Sequence, residues 1–147
     1  MPSYFCLLLP EATRKVINQI RTELFRKSGS KSFRTLPPCI MLGETEKNSL
    51  PAGLDCPNLP LKIGKTSCFM HDQLFFPIEN KFLQPLKDQL GVSYPITGIF
   101  LGSIEETIEA TLPPVDDLRL ALLEIKETEG LTLWRILSEK HLQTDKG

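Results

Sequence analysis

Few side chains in this 147-residue chain are suited to acid–base or nucleophilic chemistry near neutral pH. The histidines and cysteines are His71, His141, Cys6, Cys39, Cys56 and Cys68. Imidazole exchanges a proton near neutral pH, and a thiolate is a nucleophile. The local pattern places His71 in a turn and His141 in the C-terminal tail, so we expect both histidines to have ordinary surface roles.

One spacing resembles part of a metal site, Cys68-x-x-His71. A tetrahedral zinc site needs two further ligands, and Cys39 and Cys56 are neither paired nor suitably spaced to supply them. We therefore expect no metal and no other cofactor. Cys39 would act as a nucleophile only with a lowered pKa and a neighbouring base, and because the sequence indicates neither, we expect a packed, inert thiol.

The composition is that of one globular domain, with 41% hydrophobic and 24% charged residues and a net charge of −1. The longest apolar run, Phe5–Leu9, is far shorter than the ~20 residues of a membrane span. The N-terminus lacks the pattern of a secretion signal, so we expect a cytoplasmic protein, no membrane association and reduced cysteines.

Charge is distributed unevenly along the chain. Residues 1–40 carry seven basic and two acidic residues, whereas residues 101–147 carry five basic and ten acidic ones. Such polarity can steer an anionic ligand, but we interpret Arg14, Lys15, Arg21 and Arg26 as the solvated face of a helix. A sequence pI of 6.1 gives little support to general nucleic-acid binding.

Hydrophobic periodicity predicts an α+β order of strand, helix, strand, hairpin, helix, strand, hairpin. The first strand is predicted over 4–9, and the first helix runs from Pro10 to a stop at Gly29. The other predicted elements are a strand over 33–43, a loop over 44–58, a hairpin that turns at His71-Asp72, a helix through Ile78, Phe82, Leu86 and Leu90, and strands over 94–103, 118–125 and 131–137. Pro85 requires the second helix either to begin nearby or to kink.

Two segments look like one unit used twice. Residues 38–44 read Pro-Cys-Ile-Met-Leu-Gly-Glu, and residues 97–103 read Thr-Gly-Ile-Phe-Leu-Gly-Ser. Both contain x-Ile-x-Leu-Gly, and each lies on the predicted strand that follows a helix. This indicates an internal repeat.

At these two segments the chain resembles the two-histidine (2H) phosphoesterase superfamily, which includes 2′-5′ RNA ligases and cyclic nucleotide phosphodiesterases. The resemblance extends over nearly the whole chain, including the Phe5–Leu9 strand and the Leu-Pro-Pro before the first segment. It implies a bilobal, pseudosymmetric α+β fold with two mainly antiparallel sheets and outer helices. Residues 1–147 would form one such domain, with lobes of approximately 1–70 and 71–147. The two lobes could also exchange strands.

In that family each lobe contributes a His-x-Thr/Ser motif, commonly within His-Ile-Thr-Leu-Gly. Residues i and i+2 of a strand point to the same face, so each motif pair would face a shared cleft. The matching positions here are Cys39 and Met41 on one strand and Gly98 and Phe100 on the other. Since a positioned acid or base contributes about 10²–10⁴ in rate, we expect little phosphoesterase activity and identify no catalytic residue.

Replacement of the polar motif residues makes the predicted cleft apolar. It would either hold an apolar or aromatic group or fill itself, with Phe100 beside Gly98 as the candidate filler. The favoured hypothesis is a 2′-5′ RNA ligase-like pseudoenzyme that binds a nucleotide, an RNA end or a protein partner without turning it over. The alternatives are an active phosphoesterase or other hydrolase that uses relocated residues, and an unrelated α+β interaction domain. The sequence indicates neither the ligand nor the oligomeric state.

Overall fold

The computed structural model describes residues 3–29, 37–53, 62–79, 83–113, 115, 118–128 and 131–141 of the chain. Within these residues the chain forms an α+β fold of two helices and eight strands. In chain order the elements are β1 (Ser3–Leu8), α1 (Glu11–Ser28), β2 (Cys39–Thr45), β3 (Lys62–Ile63), β4 (Cys68–Met70), β5 (Gln73–Glu79), α2 (Leu83–Leu90), β6 (Gly98–Gly102), β7 (Arg119–Thr128) and β8 (Leu131–His141).

Helix α1 confirms the predicted first helix. Its buried side includes Ile17 and Leu24, which have no more than 4% of their surface exposed. It ends at Gly29, whose left-handed φ of 70° lets its N–H donate to the carbonyl oxygen of Phe25 at 2.7 Å. Glycine takes this conformation at little steric cost, which is why it marks the end of the helix.

Several predicted boundaries were wrong. Ile78 belongs to β5 rather than to the second helix, and α2 begins at Leu83. Pro85 therefore lies in the first turn of α2, where its missing N–H costs no helical hydrogen bond. His141 is the last residue of β8 rather than part of a tail. Residues 33–36, Phe82 and the end of the predicted 44–58 loop lie outside the described residues.

The strands form one sheet in the order β3-β5-β6-β2-β1-β7-β8, with β4 paired to β5. The described pairings are antiparallel. The family resemblance implied two sheets, but β2 and β6 pair at Ile40 and Ile99 and so join the described strands in one sheet. The sheet order also places the C-terminal β7–β8 hairpin beside β1, so the first and last strands of the chain lie in the same half.

Alternation along the strands divides the side chains of the sheet between two faces. On one, which we call the helix face, sheet residues such as Phe5, Ile40 and Ile99 pack with α1 and α2 in the main core. The opposite, open face carries a smaller buried cluster formed by Cys6, Leu8, Cys39, Met41, Ala121 and Leu123. Because both helices contribute to the core on one face, the open face is available for a pocket.

Candidate functional site

The two repeated segments meet at the junction of β2 and β6. Ile40 and Ile99, the equivalent isoleucines of the two segments, are each other's partners in the antiparallel pairing. Continuing that register places Cys39 opposite Phe100 and Met41 opposite Gly98. The isoleucines lie in the main core, so strand alternation directs the four residues beside them to the open face.

A pocket lies on the open face at this junction, and we call it the β2–β6 pocket. Its volume is about 230 Å³, and it is lined by Pro37, Cys39, Met41, Gln73, Tyr94, Ile96, Gly98, Phe100 and Ser103. All four positions singled out in the sequence therefore lie on its wall. Most of the lining side chains are apolar or aromatic, and Gln73 and Ser103 add polar groups.

The other lining residues were not predicted from the sequence. Tyr94 and Ile96 precede Gly98 and Phe100 at steps of two, and that alternation was a signal that could have found them. Gln73 gave no such signal, because it reaches the pocket from β5, which pairs with β6.

The space beside Gly98 is already occupied. A Cβ atom at position 98 would lie 2.5 Å from the Cδ2 atom of Phe75 and 2.5 Å from the carbonyl oxygen of Phe76. Phe75 is itself 5% exposed. Phe75 rather than the expected Phe100 therefore fills this part of the cleft, and the β2–β6 pocket remains open beside Phe100.

Arg21 lies beneath the junction rather than on the solvated face of α1, where the sequence analysis placed it. Its side chain is 3% exposed, and its Nη2 donates to the carbonyl oxygen of Phe100 at 2.6 Å. Burial disfavours the charged guanidinium and lowers the pKa of Arg21 to about 10. It stays protonated at neutral pH, so a positive charge is held next to the pocket wall.

Cys39 is a packed thiol, with 4% of its surface exposed, and its surroundings act on its pKa in both directions. A hydrogen bond with Cys6 lowers the pKa of Cys39, burial opposes this, and the positive charge of Arg21 also lowers it. The pKa of Cys6 is raised well above its ordinary value by the same hydrogen bond and by burial. The structure thus supplies the acidifying environment for Cys39 that no sequence pattern indicated.

Neither histidine is among the residues that line the β2–β6 pocket. His71 is exposed in the turn between β4 and β5, two residues before Gln73 and with a φ of 52°, and the backbone of His141 ends the edge strand β8. Cys68 is exposed on β4, and Cys56 lies outside the described residues. In the described part of the chain, no three His, Cys, Asp or Glu residues are grouped as a metal site would require.

The comparisons with known proteins give a fold and no sequence family. No family model matches this chain, and no curated protein matches it. Among solved structures, Escherichia coli LigT in apo form is 19% identical, with 98% of each chain covered and a TM-score of 0.62. TT0787 of Thermus thermophilus is 14% identical, with 99% of this chain and 100% of that chain covered and a TM-score of 0.66.

A further structure, E. coli LigT complexed with 3′-AMP, is 18% identical, with 99% of this chain and 100% of that chain covered and a TM-score of 0.61. At these identities the similarity concerns the fold alone. The chain has a LigT-like fold, which agrees with the fold that the resemblance at the two segments implies. Within the described ranges, no helix is both long and apolar enough to cross a membrane.

Proposed function

We propose that this protein is a LigT-like binding protein that holds a nucleotide, with its base in the β2–β6 pocket, and does not turn it over. The supporting observation is that Cys39, Met41, Gly98 and Phe100 all line one mainly apolar pocket. These residues stand where the resembling family has its His-x-Thr/Ser pairs, so the phosphate-handling groups of both motifs would be replaced.

Loss of catalysis follows from what these positions can carry. A general acid and a general base each contribute about 10²–10⁴ in rate, and neither motif position carries an imidazole. At position 98 the contact distances to Phe75 and Phe76 leave no room even for a Cβ atom. On the β2 side the surroundings of Cys39 lower the pKa of its thiol, but Gly98 and Phe100 on β6 supply no partner acid or base.

A nucleobase is the ligand chemistry that suits the pocket. Its volume of about 230 Å³ is below the ~300–1,000 Å³ of sites for drug-sized ligands. A pocket of this size favours one nucleobase over a larger group. Tyr94 and Phe100 offer aromatic surface for stacking, and Gln73 can pair with a base edge. LigT was solved with 3′-AMP, which makes a mononucleotide the first ligand to test.

The proposal includes a division of the molecule into two pseudosymmetric halves. One half would comprise β1, β2, β7 and β8, and the other β3, β4, β5 and β6, as the strand order suggests. The antiparallel pairing of the equivalent residues Ile40 and Ile99 is what a local twofold axis between the halves requires. The C-terminal strands would then belong with the N-terminal ones, as exchange of strands between lobes implies.

Titration with 3′-AMP, other mononucleotides and a short RNA, followed by calorimetry, tests the proposal. Phe100→Ala should weaken binding by at least about fivefold, since stacking of a base on an aromatic ring contributes ~1–3 kcal/mol. Leu133→Ala is the matched control, because Leu133 is 55% exposed on β8 and does not line the pocket. Absence of binding by the wild-type protein, or equal loss in both variants, would contradict the proposal.

Incubation with a 2′,3′-cyclic phosphate and a generic phosphodiester separates binding from catalysis. We expect no turnover by the wild-type protein. Turnover that Cys39→Ser abolishes would instead establish an active hydrolase. Binding of a protein partner with no affinity for any nucleotide would favour an interaction domain.

A further inference from the structure

Two cysteines are neighbours at the wall of the β2–β6 pocket. Cys39 lines the pocket, and Cys6 on the adjacent β1 has no exposed surface. Cys6 faces Met41 in the β1–β2 register and Leu8 faces Cys39, so the cysteines are diagonal neighbours on the open face. Both are free thiols, and a hydrogen bond joins them.

The environments of the two thiols differ. Arg21 places a buried positive charge near Cys39, and the hydrogen bond with Cys6 also favours the Cys39 thiolate. Burial and the same hydrogen bond raise the pKa of Cys6. The thiol that lines the pocket is therefore the one near the buried charge of Arg21, and the fully buried Cys6 lies beside it. This is the arrangement of an attacking cysteine with a resolving cysteine beside it.

We propose that Cys39 and Cys6 form a peroxide-sensitive thiol pair, in which a small hydroperoxide that enters the β2–β6 pocket oxidises Cys39 and Cys6 then closes a disulfide. The proposal depends on the pocket geometry and not on nucleotide binding. Cys39 lines the pocket and is 4% exposed, and the mostly apolar wall of the pocket suits an uncharged hydroperoxide.

The reaction has two balanced steps. The Cys39 thiolate attacks one oxygen of the peroxide, so that an S–O bond forms, the O–O bond breaks, and the leaving oxygen takes a proton and departs as water or an alcohol. The Cys6 sulfur then attacks the Cys39 sulfur, an S–S bond forms, the S–O bond breaks, and hydroxide leaves with the Cys6 proton as water. The two thiols lose two electrons and the hydroperoxide gains them.

Mapping the thiols of the wild-type protein tests this directly. The protein is treated with hydrogen peroxide at low molar excess, quenched and alkylated, and its peptides are identified by mass spectrometry. We expect Cys6 and Cys39 to lose alkylation together and to appear in one disulfide-linked peptide pair, while exposed Cys68 on β4 remains alkylated. Oxidation of Cys68 before Cys39, or a disulfide that joins any other pair, would overturn the proposal.

Two variants assign the roles. With Cys6→Ser we expect a sulfenic acid on Cys39 that dimedone traps, and with Cys39→Ser we expect Cys6 to stay reduced. Oxidation of Cys6 at the wild-type rate in Cys39→Ser would show that Cys39 is not the attacking thiol. Arg21→Gln, which keeps a donor near the carbonyl of Phe100, should slow the oxidation of Cys39; an unchanged rate would contradict a role for the charge. The wild-type mapping decides the proposal even if a variant does not fold.

Discussion

Gly98 is a residue whose type is dictated by what surrounds it. The backbone of β6 passes so close to β5 that Phe75 and Phe76 occupy the space in which a side chain at position 98 would begin. The backbone carbonyl of Phe76 cannot move without disturbing the β5–β6 pairing, in which Phe76 faces Ile99. A residue with a side chain at this position therefore requires a shift of a core strand.

We predict that Gly98→Ala destabilises the protein by about 1–3 kcal/mol, the usual cost of overpacking a filled site. Chemical denaturation monitored by circular dichroism measures this change. Ser103→Ala is the matched control, because it removes atoms from the same pocket wall and adds none, and it should change the free energy of unfolding by less than ~0.5 kcal/mol. Equal stability of Gly98→Ala and the wild-type protein would contradict the close approach of β5.

In the β4–β5 hairpin, a histidine lies in the turn between the two strands. His71 and Asp72 form its two-residue turn, and both have left-handed backbones, with φ values of 52° and 59°. Two consecutive positive φ angles are the mark of the turn that matches the twist of a tight hairpin. Its second position is one where glycine is normally preferred, so Asp72 carries a conformational cost.

Asp72→Gly should therefore raise the free energy of unfolding by roughly 0.5–1 kcal/mol, since glycine adopts this conformation without the Cβ penalty. The same substitution at Asp88, within α2, should have the opposite sign. Glycine is unfavourable inside a helix, and Asp88 also accepts a hydrogen bond from Gln84 Nε2 at 2.9 Å. Thermal melts of both variants test the pair, and a loss of stability in Asp72→Gly would contradict the assigned turn.

At the scale of the whole molecule, the halves of the sheet are held together at the β2–β6 junction. Ile40 and Ile99 are its registered pair, and both are fully buried in a core shared with α1 and α2. The helices and both halves of the sheet thus contribute to one hydrophobic cluster. A chain built in this way should unfold as one cooperative unit.

We predict that Ile40→Ala lowers the free energy of unfolding by about 2–5 kcal/mol, through lost burial and the cavity that remains. The transition should stay single, with equal calorimetric and van't Hoff enthalpies. Ile136→Ala, at a residue 38% exposed on the edge strand β8, is the control and should have a much smaller effect. Two separate transitions in either protein would indicate halves that fold independently.

The sequence by itself determined the order of the main elements and the faces of the central strands, but not all of the element bounds. Periodicity located α1 and its end at Gly29, because the spacing of apolar residues gives the buried side of a helix and a glycine marks its end. The x-Ile-x-Leu-Gly repeat was sufficient to name Cys39, Met41, Gly98 and Phe100, because alternation along a strand fixes which residues share a face. These are local properties, and the structure places all four residues on one pocket wall.

Only the tertiary structure decided which distant residues meet there. Arg21 lies between Ile17 and Leu24 on the buried side of α1, but nothing in its neighbours along the chain indicates that it donates to the carbonyl oxygen of Phe100. The hydrogen bond between Cys6 and Cys39 depends on the β1–β2 register. The lack of room for a side chain at position 98 depends on how near β5 lies to β6. Strand order and register arise from the packing of the whole sheet, so contacts between residues far apart in the chain leave no pattern in a single sequence.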